Sequence, residues 1–413
     1  MSLSSLSPAV DRYLLQRPDL DGMLEARAAL GSLVTVLESV GDPRRREARQ
    51  YSLASMLALL VLATLAGCRS LRSAVAWAGD LAPAVVLGLG FGRGRLPVRS
   101  TLAGVMAGID MAVVAEVIAG WLADRLATAT GEGGAGWVEE PLVHVAVDGK
   151  ALRGARHDRR AADGAPPMQL AVFAPDPGVV LATAEVDPRA GKGGEGAAVQ
   201  VALDQVGSIS GWVVTGDAAH TTRSTASYLR ARGAHYVLAV KANRSLLQAE
   251  VGEIPWGQVP VTVTTSATTH GRVESRAYQV VEITTPAGVL GGGLSLPGAR
   301  QAIRVTATRK PSSGGRASTT VLFYVTSLGP EQATFAQIAH VIRARWGIEN
   351  RLHWIRDVVF DEDRHTTRRA NTTRLWTLLR STAISLIHLA GLPVTTTTQA
   401  CYRQPERTFA LVR

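Results

Sequence analysis

The sequence predicts a mixed α/β chain: a helical first third, an α/β domain interrupted by a strand-rich stretch, and a helical close. Three observations carry this. The run "LASMLALLVLATLAGC", 53 to 68, is apolar all round, as a buried helix is. A Gly-rich composition break, "TATGEGGAGW", follows at 128 to 137. Beyond it, short β-rich runs bounded by turn residues replace helical spacing, and two of them end in an acid.

With 413 residues, the chain has length for two or three domains. Its formal net charge of +10 favours a nucleic acid or an anionic membrane as partner and says nothing about fold. The only cysteines, Cys68 and Cys401, lie far apart with no CxxC pair. Neither a disulfide framework nor a cysteine zinc site is therefore expected, and a reducing cytoplasm fits. The first thirty residues are mixed and polar, so no signal peptide is read there. The apolar run at 53 to 68 falls short of the roughly 20 residues a membrane span needs, which favours a core helix and no membrane.

Residues 1 to 126 read as an all-helical N-terminal domain for DNA binding. In "DPRRREARQ", Asp42 is the expected N-cap and Pro43 the first helical residue before the apolar run, with Arg44, Arg45, Arg46 and Arg49 as phosphate contacts. "LPVRSTLAGVMAGID" starts another helix, and 127 to 137 is the linker. From 138 to 243 come, in order, the strand "LVHVAVDG", the hairpin pair "MQLAVFAP" and "GVVLATAEVD", and the helix "GEGAAVQVALDQV". The strand "GWVVTGDA", the Thr-capped helix "TTRSTASYLRARG" and the strand "AHYVLAVK" complete the series. This β-β-β-α-β-α-β order is that of the ribonuclease-H-like fold. Alternating runs between 244 and 328 form a β-rich insertion, and 329 to 413 is the helical C-terminal part, with the Thr run at 395 to 398 as a loop. Within it, "RWGIENRLHWIRDVVFDEDRH", 345 to 365, reads as one helix.

Asp148 and Asp217 end two strands that this order makes neighbours, roughly 4.8 Å apart. Carboxylates at matching strand ends can bridge metal ions about 3.5–4 Å apart, as two-metal phosphoryl transfer requires. Such hard oxygen donors suit Mg²⁺ or Mn²⁺. The third acid must come from a packed helix, and Glu349 is the candidate, with Asp357 its nearest rival. Arg345, His353 and Arg356 lie on neighbouring turns. Each Asp taken alone reads first as a turn cap, and it is their joint placement on this strand order that points to a site.

The motifs "DPRRREARQYSL", "VDGKALRG", "TGDA", "YVLAVKAN", "HGRVESR", "YVTS" and "RARWGIENRLHWIRDVVFDED" resemble those of DDE transposases of the ISAs1 insertion-sequence family, the H-repeat-associated proteins. The likeness runs over nearly the whole chain. It implies Asp148, Asp217 and Glu349 as the catalytic, metal-binding triad. Three departures fall elsewhere: Arg345 replaces a usual His, "KGGE" (Lys192 to Glu195) replaces "KSNE", and "AAHTT" follows Asp217.

Candidate DNA contacts are Lys150, Arg153, Lys192, Lys241, His270, Arg272, Arg345, His353, Arg356, Arg364, Arg368 and Arg369. Solvated turns and helix packing are the plain alternatives for several of them. Nine arginines between 343 and 380 face five acids, a surplus that suits a DNA groove. No Walker P-loop, GxGxxG, HExxH or nucleophile elbow occurs. The implied activity is metal-dependent cleavage at insertion-sequence ends and transfer of the 3′-hydroxyl to target DNA. The expected partners are double-stranded DNA (terminal repeats and target) and a second copy in a DNA-bound homodimer. The alternatives are a domesticated DNA-binding or regulatory protein, or a nuclease without strand transfer.

Overall fold

The computed structural model describes residues 20–92, 94–131, 142–155, 166–187, 194–269, 271–283, 293–366 and 369–413. The first part is helical: α1 (Leu20–Glu38), α2 (Leu53–Leu65), α3 (Leu71–Gly79), α4 (Pro83–Gly88), α5 (Arg99–Gly108) and α6 (Met111–Gly131). Every residue of α2 is buried, as its unbroken apolar composition requires. No single helix among the described residues is long and apolar enough to cross a membrane.

The expected cap of this helix differs. Ser52 caps α2, its Oγ accepting from the Ser55 N–H at 3.4 Å. Asp42 instead accepts two guanidinium bonds from Arg44, at 2.9 and 2.6 Å, in irregular chain well before the helix. With three arginines adjacent, a charge-assisted pair prevails over backbone capping. Ser52→Ala is expected to cost about 1 kcal/mol, read from the urea midpoint.

After α6, which continues into the expected linker, residues 132–141 lie outside the described residues. Then follow β1 (His144–Ala151), β2 (Met168–Ala174), β3 (Val179–Val186), α7 (Gly194–Asp204), β4 (Val213–Gly216), α8 (Arg223–Ala231), β5 (His235–Val240) and α9 (Ser245–Gly252). Thr222 caps α8 as expected. Next come β6 (Val263–Thr269), β7 (Arg272–Glu282), β8 (Gln301–Pro311) and β9 (Ser318–Thr326). All nine strands form one sheet in the order β3-β2-β1-β4-β5-β9-β8-β7-β6. β1, β4 and β5 run parallel, and β9 pairs antiparallel with β5, so the strand-rich stretch extends the same sheet.

The C-terminal part comprises α10 (Phe335–Ala344), a π-helical turn (Ile348–His353), α11 (Trp354–Val358), α12 (Ala370–Leu389), α13 (Val394–Arg403) and α14 (Arg407–Val412). The stretch 345 to 365 is therefore not one helix. It ends at Val358, turns through Asp361 in the left-handed region (φ 53°) and resumes as a 3-10 turn at Glu362–Arg364. The break carries Glu362 into the interior, where it meets Arg356 and Arg380. The Thr run expected as a loop is helical. Buried Val394, Thr398 and Cys401 dock one face of α13, so packing overrides weak helix propensity. One buried cluster runs from Leu60 and Met106 through Val145 and Leu170 to Trp376, so the N-terminal helices and the sheet share a core. α12 lies across α2, α5, α6 and β3.

Candidate active site

β1 and β4 pair in parallel, with Val147 opposite Gly216. Asp148 and Asp217 each stand one residue past that pair, at the same level of the sheet. Neighbouring strands lie about 4.8 Å apart, so the two carboxylates leave one edge side by side. The turn-cap reading of Asp217 is seen directly: its Oδ1 accepts the Ala219 N–H at 2.8 Å, shaping the turn after β4. That turn is tied down from beyond β5, where Asn243 donates to the Ala218 carbonyl (2.9 Å) and Arg244 to that of Ala219 (3.1 Å).

Glu349 arrives on the π-helical turn, where the Trp354 N–H reaches the Glu349 carbonyl five residues back. Such a turn widens the helix by one residue and recurs at functional sites. Burial raises the Glu349 carboxyl, Arg345 opposes, Asp148 and Asp217 raise it further, and Lys241 opposes in turn. Asp148 and Asp217 are thus among the charges that act on Glu349. Arg345 Nη1 lies 4.0 Å from Glu349 Oε1, with the guanidinium stacked on Trp346. One turn on, His353 Nδ1 stands 3.4 Å from Asp148 Oδ2. Burial lowers the His353 imidazole and its hydrogen bond with Asp148 counters it.

The remaining candidates separate clearly. Lys150 is buried and pairs with Asp357 at 2.7 Å and Asp363 at 3.4 Å, which also assigns the rival acid Asp357 a partner. Arg356 is fully buried against Glu362, with its Nη2 at 2.7 Å, so the expected DNA contact is corrected to a core ion pair. Of the nine arginines, Arg380 is also buried, Arg374 pairs with Glu185, and Arg351 donates to the Pro175 and Asp176 carbonyls. Lys241, Arg153, Arg272, Arg364 and Arg369 are exposed. Lys192, His270 and Arg368 lie outside the described residues. Among the N-terminal arginines, Arg44 is held by Asp42, whereas Arg45 and Arg46 are exposed.

Sequence reasoning assigned no role to Glu195 and His220, which border the same space. His220 Nε2 lies 3.7 Å from Glu195 Oε2 and 3.8 Å from Asp217 Oδ1. The signal was partial: Glu195 is the residue that "KGGE" shares with "KSNE", and His220 falls in the divergent "AAHTT". A carboxylate-only donor set of this kind fits a hard divalent cation such as Mg²⁺ or Mn²⁺. Among the described residues, no three His, Cys, Asp or Glu side chains already close to joint ligand distance.

A mixed α/β protein with two aspartates just past the parallel β1–β4 pairing, Asp148 inside β1 and Asp217 after β4, and a helix-borne glutamate is the class that fold and site define. Residues 139–386 match the family model described as the transposase DDE domain, and 34–122 match its associated N-terminal model. The chain belongs to the transposase DDE domain family. It is 25% identical over 369 residues to the putative transposase YncI of Escherichia coli O157:H7, covering 87% of this chain and 88% of that protein. It is 24% identical over 365 residues to the H repeat-associated putative transposase YhhI of Escherichia coli strain K12, covering 87% and 90%. A solved piggyBac transposase synaptic complex with hairpin DNA aligns over 95% of this chain and 81% of that one, with 10% identity and a TM-score of 0.43.

Proposed function

We propose that this chain is an ISAs1-type DDE transposase that cuts DNA at insertion-sequence ends and joins the freed 3′-hydroxyl to target DNA. The placement of Asp148 and Asp217 beyond an aligned pair on parallel neighbours, with Glu349 in their field, carries the reading. The strand order β3-β2-β1-β4-β5 supports a ribonuclease-H-like catalytic domain over 138–243 and 329–413, with 244–328 inserted and 1–126 recognising element ends.

In this reading Asp148, Asp217 and Glu349 hold two Mg²⁺ or Mn²⁺ ions. Held there, such ions would supply charge neutralisation at the scissile phosphate and would ease deprotonation of the attacking water. His353 orients the Asp148 carboxylate, and Arg345 stands beside Glu349 to steady it. Water attacks the phosphodiester at the element end, releasing a 3′-hydroxyl. That hydroxyl then attacks a target phosphodiester in the same site, expelling a second 3′-oxygen. No Ser or Tyr nucleophile is required. Double-stranded DNA and a second copy of the chain are the partners, in the cytoplasm at the nucleoid.

Incubating the full chain with a duplex carrying its own terminal repeat in Mg²⁺ is expected to give a nick at the repeat boundary and a joined product. Cutting of random duplexes with no end preference and no joining would overturn strand transfer in favour of a plain nuclease. Exposed Arg364 and Arg369 are proposed as phosphate contacts without sequence choice. Changing both to Gln should lower the salt-dependence slope by about 0.9 for each phosphate that is no longer neutralised. An unaltered slope would make them solvated surface.

A further inference from the structure

His220 is fully buried, and neither ring nitrogen has a hydrogen-bond partner. A buried imidazole with both nitrogens unmet is costly, so its place requires a cause. Its Nε2 points between two carboxylates, at 3.7 Å from Glu195 and 3.8 Å from Asp217. Both distances are one short adjustment from hydrogen bonds.

The strands leave room for this pair. Gly216 precedes Asp217, and a Cβ on it would stand 2.9 Å from His220 Cβ and 3.2 Å from its Cδ2. Any side chain there would displace the imidazole. Gly149 follows Asp148, and a Cβ on it would meet Met168 Cε at 3.1 Å and then, at ordinary contact, Glu195 Cδ at 3.6 Å and Oε1 at 3.7 Å. The Glu195 carboxyl thus lies directly over the β1 edge. Burial raises this carboxyl, His220 opposes, and Asp217 and Asp148 add to the rise, so Glu195 shares their space. Lys150, the nearest lysine in sequence to Asp148, is already engaged by Asp357 and Asp363.

We propose that Glu195 is a fourth carboxylate of the cation site, and that His220 is the positioning residue holding Glu195 and Asp217 toward it. Asp148, Asp217 and Glu195 would offer their oxygens to a divalent cation, and His220 would hold Glu195 and Asp217 in place by donating its Nε2 proton to one of their oxygens. The Nε2 of the buried imidazole then gains a partner, and Gly216 is explained as the spacer for His220. This rests on the cation-binding reading above.

The test is calorimetric titration of the full chain with Mn²⁺ in the absence of DNA, with thermal melts of the metal-free variants alongside. Glu195→Gln is expected to weaken Mn²⁺ binding by about tenfold or more, and His220→Leu by a similar factor. His220→Gln places an amide donor near the Nε2 position and should recover most of the affinity. Asp357→Asn, a nearby acid engaged by Lys150, should leave binding little changed and controls for loss of charge alone. Should Glu195→Gln melt early, Glu195→Asp keeps the charge on a shorter arm and should bind between Gln and wild type. Wild-type affinity in a folded Glu195→Gln would overturn the fourth ligand. Equal weakening by His220→Leu and His220→Gln would overturn positioning by hydrogen bond. A wild-type chain that binds no Mn²⁺ would remove the cation-binding reading itself, a result distinct from either.

Discussion

Replacing Asp148 or Asp217 with Asn, or Glu349 with Gln, is expected to lower Mg²⁺-dependent cleavage by roughly 10³-fold while duplex binding persists or tightens. Each change keeps side-chain size and removes one of the charges that hold the cation. Losing several kcal/mol of transition-state charge stabilisation corresponds to a factor of that order. Binding moves the other way because an anion leaves a space that faces phosphates. The three defects should not multiply, since one missing ligand already disables the shared site. Gel-shift and nicking assays on the same end-containing duplex separate the two effects. Binding and cleavage falling together in a folded variant would show that these acids act on DNA docking or structure.

The second large effect concerns stability. Glu362 is buried and accepts from Arg356 Nε (2.8 Å), Arg380 Nη1 (3.0 Å) and Thr377 Oγ1 (3.2 Å). Glu362→Gln leaves two buried guanidiniums without their anion, which costs about 3–5 kcal/mol. Burial alone would raise the Glu362 carboxyl, but Arg356 and Arg380 bring it down to about 2. A carboxyl depressed in the folded state stabilises above its ordinary value of 4.5, and that stability drains as pH falls from there toward 2. His365 adds an earlier loss: burial and then Arg380 lower it to about 4, so the unfolded chain takes up its proton first, below 6.5. In urea, the gap between wild type and Glu362→Gln should be full at pH 7 and shrink below pH 4.5. A constant gap as pH falls from 4.5 toward 2 would mean that the cost is packing rather than charge.

The two aspartates were legible because their positions are local, although β1 runs on past Asp148 to Ala151 against β2 and only Asp217 follows a strand end. A run of apolar residues ending in Asp, twice, needs only the strand order to bring the two ends together, and β1 does neighbour β4. The all-buried helix α2 was legible for the same reason, from its own composition. What escaped depends on partners distant in sequence. Arg356 looks like any other arginine in a basic stretch, and only its pairing with Glu362 and the nearby Arg380 makes it a core residue. Charge counting therefore overstated the basic groove, since buried arginines carry charge that no DNA meets. The π-helical turn at Ile348–His353 was invisible because one extra residue in a turn leaves no mark on composition. Glu195 and His220 lie in stretches that were noted only for departing from a pattern, although His220 stands between Glu195 and Asp217.

Glu349→Gln and Asp357→Asn, compared side by side for nicking of an end-containing duplex in Mg²⁺, bear most directly on the assignment of the site. Glu349 shares the field of Asp148 and Asp217, whereas Asp357 is held by Lys150. Nicking should collapse in Glu349→Gln and remain substantial in Asp357→Asn. Collapse in Asp357→Asn with activity retained in Glu349→Gln would contradict the site described here and move the third carboxylate to α11.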